Sequence, residues 1–317
     1  MNNKDRSQAA DKYIKFLESD DSDPVTLYLD GLAISGRRSM RSLLHKAAEI
    51  FGFEGELSKM PWPLLQYQHI AKLRAELQKE GKSASTINLS IAACRGVMKA
   101  CFNIGLIKAD QLMLINEVKR VRVKKLPSGR KLLEREIKAL IAACKRDKTI
   151  AGKRDLAVIT LMLSTGLRRS EVVSLNIEDY NSRNGELTVK AGKGNKQRLV
   201  FIQVDARQLI KHWLKCRGKS AGQFFYPINN KIAIVQRKMT TQSLYDLIKK
   251  RSVEANIVHC SPHDLRRTFV TRLLESGIDI NTVRQLAGHS DIQTTARYDL
   301  RDDREQRRAM KRNFILI

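Results

Sequence analysis

Residues typical of helix starts and helix ends are concentrated between positions 261 and 299. This pattern predicts several short helices in that stretch. Ser261 suits an N-cap, Pro262 suits the first helical position, and Asp264 completes a capping box. Gly277 predicts the end of this first helix, because glycine readily adopts the left-handed conformation that closes many helices. The pattern therefore predicts compact helical segments joined by tight turns.

Two further helices are predicted in the same stretch. The second ends at Gly288, so that His289 falls in the turn that follows. Ser290 and Gln293 form another capping-box pattern, which predicts a third helix that carries Tyr298. This order delivers a histidine and a tyrosine to the neighbourhood of the first helix.

The side chains on these segments suit the transfer of a phosphoryl group. His263 and Arg266 are three positions apart, so they share one face of the first helix. Arginine presents a charged fork of donors to phosphate, histidine moves protons near neutral pH, and tyrosine can act as a covalent nucleophile. Each such residue alone is more often structural, so the interpretation depends on the whole set.

The charge of the chain indicates a polyanionic partner, because 59 Lys and Arg against 33 Asp and Glu give a formal net charge of +26. Nucleic acid is the favoured partner. The five cysteines are scattered and form no C-x-x-C pair, which argues against a disulfide framework or a zinc site and favours a reducing compartment. No apolar run approaches the ~20 residues of a membrane span, so we expect a cytoplasmic protein with no membrane partner. From the cysteine pattern we expect no bound metal.

Shifts in composition divide the chain into four predicted segments. Residues 1–23 form a polar leader, and residues 24–116 carry helical patterns with basic faces. Residues 117–131 are rich in Lys and Arg around a Pro-Ser-Gly break, which is typical of a linker. Residues 132–317 form the second domain. Ordinary solvated helix faces are the alternative to a DNA contact in the first domain.

The predicted DNA contacts are basic residues on helix faces, in the linker and beside Arg266. A linker this cationic is expected to lie along a phosphate backbone. The residues are Arg37, Arg38, Arg41, Arg95, Lys99, Lys124, Lys125 and Arg267.

Two other stretches of the second domain can bring charged groups to a phosphate. Arg168 follows Gly166 closely, and Glu171 three residues later can hold a guanidinium group by a charged hydrogen bond. Residues 185–202 predict a β-hairpin whose tip carries Lys193 between glycines, so this lysine can enter a groove as a proton donor. A surface ion pair and an ordinary surface turn are the respective alternatives.

Together these motifs resemble the tyrosine recombinase (phage integrase) family, loosely over residues 24–300 and closely over 150–300. The matching stretches are T-G-L-R-R-S-E-V, G-K-G-N-K-Q-R, H-D-L-R-R-T-F and L-A-G-H-S-D-I-Q-T-T-A-R-Y. The intervals of 23 positions from Arg266 to His289 and 9 from His289 to Tyr298 are also usual for this family. Four motifs in this order are not expected by chance.

The resemblance implies a mainly α fold with a small β-sheet in the catalytic domain. It also implies an N-terminal helical core-binding domain, so that the two domains form a C-shaped clamp around double-stranded DNA. The implied enzyme cuts and rejoins DNA at a specific site without a cofactor, as a homotetramer assembled on two DNA sites. The apolar end Phe314–Ile317 fits the family's exchange of a C-terminal helix between protomers, although it matches no family motif.

The resemblance also implies a role for each site residue. Tyr298 attacks the scissile phosphate and becomes joined to the 3′ phosphate, while a 5′ hydroxyl leaves. Arg168 and Arg266 hold the two non-bridging oxygens, and His289 adds a donor to the same phosphate. His263 accepts the proton of Tyr298.

Two more residues have supporting roles by the same resemblance. Lys193, rather than Lys190 or Lys196, protonates the departing 5′ oxygen, because its glycine neighbours match the family's hairpin. Glu171 matches the family's acidic support residue. All these positions hold residues competent for their roles, so we expect an active enzyme.

Two other functions are compatible with the sequence. A type IB topoisomerase shares the same chemistry but relaxes supercoils as a monomer, and a non-catalytic DNA-binding protein can use the same scaffold. The helical first domain and the spacing of the motifs favour recombination. Integration, excision and resolution of DNA elements stay open as biological roles.

Overall fold

The computed structural model describes residues 23–122, 129–190, 197–230 and 232–298. The chain divides into two compact units, Met1–Lys125 and Leu126–Ile317. The division falls inside the segment 117–131, for which the sequence predicts a linker, and the limits of the predicted domains stay predictions.

The first unit is helical throughout its described part. Its α-helices are α1 (Pro24–Asp30), α2 (Ile34–Ile50), α3 (Tyr67–Lys79), α4 (Ala84–Asn103) and α5 (Ala109–Asn116), with short 3-10 turns at Leu57–Lys59 and Trp62–Leu64. The N-cap of α4 is Ser83, whose hydroxyl accepts the Thr86 N–H at 3.1 Å. A serine three residues before the receiving N–H is well placed to close this bond.

The core of the first unit forms where α1, α2 and α3 pack against α4. Trp62 is fully buried, and its indole N–H donates to the Leu57 carbonyl at 2.8 Å. Gly96 allows α1 to approach α4, because a Cβ at this position would lie 2.1 Å from the ring of Tyr28. The unit thus has its own apolar core, which is the main source of stability for a domain of this size.

The second unit combines α-helices with two small antiparallel sheets in its described part. The helices are α6 (Glu134–Arg146), α7 (Ile150–Thr165), α8 (Arg169–Ser174), α9 (Val204–Arg217), α10 (Thr241–Glu254), α11 (Pro262–Glu275), α12 (Ile280–Ala287) and α13 (Ile292–Ala296). The strands pair as β1 (Glu186–Lys190) with β2 (Gln197–Phe201) and β3 (Ile228–Asn229) with β4 (Ala233–Ile234). The predicted mainly α fold with a small sheet is therefore confirmed. None of the described helices is both long and apolar enough to cross a membrane.

Helix α7 is the central element of the second unit, with α6, α9 and α11 packed around it. Most of its residues are buried and apolar, as expected for a helix at the centre of a domain. Its fully buried residues include Ala157, Val158, Ile159, Leu161 and Met162. The helix ends at Gly166, which has a φ of +62° and a Cβ position only 2.2 Å from the Phe269 ring. Only glycine both closes α7 and lets α11 pack this closely.

A buried ionic cluster fixes α10 against α6 and α7. Arg251 is 1% exposed, and its Nε–H donates to Asp155 at 2.8 Å. Its two Nη groups donate to Asp147 and Glu254, each at 2.6 Å. Burial alone would lower the pKa of Arg251, but the three carboxylates raise it above its ordinary value. The cluster holds in place the helix that carries Tyr245 to the site described next.

Candidate active site

Helix α11 begins as the sequence predicts and supplies three side chains to the site. The Asp264 N–H donates to the Ser261 hydroxyl at 3.3 Å, and the Ser261 N–H donates to the Asp264 carboxylate at 2.8 Å. These reciprocal bonds complete the predicted capping box and fix the first turn. His263, Arg266 and Arg267 therefore lie on one side of the helix, at spacings of three and four positions.

Three arginines from three different segments hold the carboxyl end of α12. Arg198 of β2, Arg266 of α11 and Arg168 at the start of α8 donate to the successive carbonyls of residues 286–288, at 3.3, 2.7 and 2.6 Å respectively. The last carbonyls of a helix lack intrahelical partners and carry the negative end of its dipole, so cations are stabilised there. This helix end gathers guanidinium groups that would otherwise repel one another.

Gly288 is the residue that makes this cluster possible. It closes α12 in the left-handed conformation, with a φ of +66°. A Cβ at this position would lie 2.7 Å from the Cζ of Arg198, so a side chain there would displace the guanidinium group. The glycine predicted as a helix stop thus also permits the close approach of an arginine.

Arg266 is the most deeply buried arginine of the cluster, with 3% of its surface exposed. Its Nη1 donates to the Gly166 carbonyl at 2.7 Å, so the guanidinium group joins the ends of α7 and α12. Burial and the charge of Arg168 lower the pKa of Arg266 to about 10. The group therefore stays positively charged at neutral pH.

Glu171 offsets part of this positive charge. Its two carboxylate oxygens accept from Nη1 and Nη2 of Arg198, each at 2.9 Å, and one of them also accepts from Arg168 Nη1 at 2.9 Å. Burial alone would raise the pKa of Glu171, but the bonds and charges of Arg198 and Arg168 lower it to about 2. The carboxylate therefore stays ionised and orients both guanidinium groups.

Tyr298 lies in the turn after α13, rather than in the helix that the sequence predicts for it. The helix begins after Asp291, whose carboxylate accepts the Gln293 N–H at 2.9 Å, and not after Ser290. Aspartate is as good an N-cap as serine, and the helix begins one residue later than predicted. The helix ends at Ala296, which places the tyrosine just beyond it.

The side chain of Tyr298 is packed among the other site residues and is 7% exposed. Its hydroxyl lies 3.1 Å from Nε2 of His263, within hydrogen-bonding distance. Its ring stacks on the His289 ring, with centroids 5.9 Å apart and 13° between the planes. The guanidinium carbon of Arg267 lies 5.2 Å from the centroid of the same tyrosine ring.

Both histidines of the site are favoured in their neutral form. Burial, followed by the charge of Arg266, lowers the pKa of His263 below its ordinary value. Burial and the charges of nearby arginines lower the pKa of His289 to about 3. Nδ1 of His289 lies 2.9 Å from the Thr295 hydroxyl, so that this nitrogen can accept while the other ring nitrogen keeps the proton.

A cavity of about 410 Å³ opens onto these groups. Five predicted site residues line it: Arg168, His263, Arg266, His289 and Tyr298. Glu171 lies behind the two arginines that it orients. Lys193 lies outside the described residues. Within the described ranges, no group of three or more His, Cys, Asp or Glu side chains is arranged to hold a metal ion.

The predicted DNA-contacting residues of the first unit fall into two groups. Arg38, Arg41 and Lys99 are exposed. Arg37 instead donates to the Asp30 carboxylate at 2.6 Å and to two backbone carbonyls. In the same way, the Arg95 guanidinium group donates to backbone carbonyls at the end of α5. The exposed set is therefore better placed to reach a phosphate.

The other predicted DNA contacts have different outcomes. Lys124 and Lys125 lie outside the described residues, as does the apolar end at 314–317. Arg267 is 7% exposed and lies beside Tyr298, and this burial argues against the predicted contact with DNA. Its neighbours Arg266 and Thr268 are buried as well, so this part of α11 faces the protein interior.

Arg198 is the site residue that sequence reasoning missed. Burial alternates along β2, so that Arg198 shares the inward face with Val200 while Gln197 and Leu199 are exposed. A charged residue at an inward-facing strand position requires a buried partner, which here is Glu171. Had the period-two pattern been applied to this strand, Arg198 would have been a candidate.

The phage integrase family model matches residues 130–305, which is more than half of the chain. Tyrosine recombinase XerA of Pyrococcus furiosus is 33% identical over 249 residues, covering 78% of this chain and 79% of the relative. Tyrosine recombinase XerC of Alcanivorax borkumensis is 29% identical over 280 residues, covering 86% and 88%. The fold resembles that of the XerH site-specific recombinase bound to a palindromic difH substrate, with a TM-score of 0.65 and 22% identity over 87% of this chain and 79% of that one. By these matches the chain belongs to the phage integrase family of site-specific tyrosine recombinases.

Proposed function

We propose that this recombinase cuts and rejoins duplex DNA through a covalent 3′-phosphotyrosine formed on Tyr298. The Tyr298 oxygen attacks the scissile phosphorus as its proton passes to Nε2 of His263. The bond from phosphorus to the 5′ oxygen breaks, and that oxygen takes a proton from Lys193. A 5′ hydroxyl of another strand reverses these steps, so no ATP is consumed. The observation that carries this proposal is the 3.1 Å approach of the Tyr298 hydroxyl to a neutral histidine at the edge of an arginine-lined cavity.

The arginine cluster supports the same proposal. Arg168 and Arg266 both line the cavity, and each retains N–H groups beyond those already bonded to carbonyls or to Glu171. Preorganised donors directed at a developing oxyanion stabilise the transition state more than the ground state. His289 adds a donor through its protonated ring nitrogen.

The domain roles and the assembly are part of the proposal. Residues 24–116 bind the DNA core through exposed basic residues, residues 117–131 link the domains, and 132–317 carry the catalysis. The two domains form a C-shaped clamp, and four protomers on two DNA sites perform four strand exchanges. The apolar end at 314–317 joins neighbouring protomers. A net charge of +26 and five free cysteines fit a DNA substrate and a cytoplasmic location.

The biological role that we propose is integration, excision or resolution of a DNA element. A plasmid with two copies of a candidate site tests it, using direct or inverted repeats found beside the gene. We expect recombinant products from the wild-type chain and none from Tyr298→Phe. Relaxation of supercoiled DNA without recombinants would instead support a topoisomerase. Binding without any covalent product would support a non-catalytic DNA-binding protein.

A further inference from the structure

Arg267 occupies an unusual position for an arginine. It is 7% exposed, it lies on α11 directly after Arg266, and its guanidinium carbon is 5.2 Å from the centre of the Tyr298 ring. It does not line the cavity into which Arg168 and Arg266 point. The side chain therefore approaches the tyrosine from within the protein and not from the side open to DNA.

The charge of Arg267 has no carboxylate partner among the described residues. No Asp or Glu oxygen there lies within 4.0 Å of its guanidinium nitrogens, whereas Arg168, Arg198 and Arg251 all form such pairs. Its Nε and Nη1 are buried and find no hydrogen-bond acceptor within the described part of the chain. Burying an unpaired cation costs free energy, so we expect another interaction to offset the cost of burying the Arg267 guanidinium group.

The ring of Tyr298 supplies that interaction, and its strength changes during the reaction. A cation over a neutral phenol is attracted by the electron density of the ring face. When the phenol transfers its proton to His263, the ring and its oxygen acquire a full negative charge. The attraction to Arg267 then becomes that of an ion pair in a poorly solvated site. The interaction is therefore stronger in the transition state than in the ground state, which is the condition for accelerating a reaction.

We propose that Arg267 is a positioning residue that holds the Tyr298 ring in place and stabilises its phenolate as the tyrosine becomes the nucleophile. This rests on the proposed role of Tyr298. Arg267 acts through the ring and makes no contact with the DNA phosphate. It also acts on the proton acceptor, because its charge is among those that keep His263 neutral, after burial and Arg266 and against the opposing charge of Asp264.

Single-turnover kinetics test this inference. The rate of covalent adduct formation is measured on a nicked duplex that cannot religate, at saturating enzyme, for the wild type, Arg267→Leu and Arg267→Lys. We expect Arg267→Leu to slow adduct formation by about tenfold or more, as the loss of a desolvated cation–π contact implies. Arg267→Lys keeps the positive charge and is expected to restore most of the rate. The dissociation constant for DNA is expected to change by no more than about twofold, because Arg267 does not face the cavity.

Arg272→Leu is the matched control, because it removes one positive charge from an exposed position of the same helix. Its guanidinium group pairs only loosely with Glu134, at 3.3 Å. We expect its adduct rate to equal that of the wild type. Should Arg267→Leu fail to fold, as judged by its thermal transition, Arg267→Gln provides a neutral side chain that keeps amide donors, and the same comparison is made.

A pH profile separates this role from a merely structural one. Removing a nearby positive charge raises the pKa of His263, so the acid limb of the adduct rate is expected to move to higher pH in Arg267→Gln. The charged and titratable groups that face His263 are Arg266, Asp264 and Arg267 on its own helix and the Tyr298 hydroxyl at 3.1 Å from its Nε2. Arg168, Arg169, Tyr245 and His289 from other elements line the same cavity. A purely structural loss would lower the rate without moving this limb.

Three outcomes would overturn the inference. One is a folded Arg267→Leu variant with the wild-type rate. Another is an equal loss in the Leu and Lys variants with an unmoved pH profile. The third is a loss that appears only in the dissociation constant, which would make Arg267 a DNA contact. In each case a wild-type adduct on Tyr298 would leave the proposed function intact, whereas the absence of that adduct in the wild type would refute the proposed function itself.

Discussion

At the scale of single residues, Arg168 and Arg266 occupy equivalent places in the proposed reaction but not in the fold. The Arg168 side chain is 43% exposed, and Glu171, which orients it, also pairs with Arg198. Arg266 is 3% exposed and satisfies one carbonyl at the end of α7 and another at the end of α12. The two arginines therefore differ in how far their removal disturbs stability.

We predict that Arg168→Ala slows cleavage by about 10²–10³-fold, with a change in unfolding free energy of about 1 kcal/mol or less. Arg266→Ala is expected to abolish cleavage and also to lower the unfolding free energy by about 2–4 kcal/mol, because it leaves buried carbonyls without donors. Cleavage assays beside denaturant titrations check both effects. Equal stability losses in the two variants would contradict this distinction.

The pH dependence of cleavage follows from His263. Its pKa is lowered below the ordinary value of 6.5, so the ring is neutral and able to accept the tyrosine proton at neutral pH. As pH falls through the lowered pKa, the ring becomes protonated and the rate is lost. We therefore predict that the midpoint of the acid limb of the cleavage rate lies below the ordinary histidine pKa of 6.5. A midpoint above this value in single-turnover measurements would contradict the proposed proton acceptor.

At the scale of elements, α12 connects the fold to the proposed chemistry. Its carboxyl end binds Arg198, Arg266 and Arg168 through successive carbonyls, and His289 follows directly. The hairpin strand β2 is joined to this end by the hydrogen bond from Arg198 to the Leu286 carbonyl. Any change that shifts the end of α12 should therefore move several groups of the site together.

We predict that Gly288→Ala lowers the unfolding free energy by about 1–2 kcal/mol, because alanine is strained at a φ of +66°. It should also slow cleavage by about tenfold or more, because the new Cβ displaces the Arg198 guanidinium group. Gly277→Ala is the control, since that glycine has a φ of +85° but open space around its Cβ position. We expect the two variants to lose similar amounts of unfolding free energy, and only Gly288→Ala to cleave DNA more slowly. Unchanged cleavage in Gly288→Ala would argue against a role for the α12 end.

The sequence predicted the start of α11 and the end of α12, because capping residues and glycine act locally. The predicted start of α13 was wrong by one residue. Ser290 and Asp291 are both good N-caps, so the choice between them depends on tertiary packing. The alternating pattern of β2 indicates that Arg198 faces inward. Its pairing with Glu171 and the contact of Arg267 with Tyr298 could not be predicted, because these partners are remote in sequence. The motifs thus predicted which residues line the cavity, while the contacts that orient their side chains depend on the tertiary structure.

At the scale of the whole molecule, the charge of +26 should govern the affinity for DNA. Binding that releases counterions weakens as salt rises, with a logarithmic slope of about −0.9 for each phosphate neutralised. We predict that the triple replacement of Arg38, Arg41 and Lys99 by alanine reduces the magnitude of this slope by about 2–3. Titrations of fluorescent DNA at several salt concentrations measure the slope.

An equal loss of charge elsewhere in the first unit is the control for this prediction. Lys72, Lys79 and Lys82 are exposed on or just after α3 and are not among the predicted DNA contacts. Their triple replacement by alanine should leave the slope close to that of the wild type. If both triple variants change the slope equally, the proposed binding face is wrong and only the overall charge matters.

The most direct test of the proposed reaction is to identify the bond between protein and DNA. Duplexes that carry the binding sequence, selected from a random library and nicked near the cleavage point, are incubated with the full chain, and the DNA-linked peptide is sequenced by mass spectrometry. The account predicts a single adduct in which the Tyr298 oxygen is joined to a 3′ phosphate, with a free 5′ hydroxyl on the released strand. An adduct on another residue, a link to a 5′ phosphate, or an adduct that persists in Tyr298→Phe would contradict it.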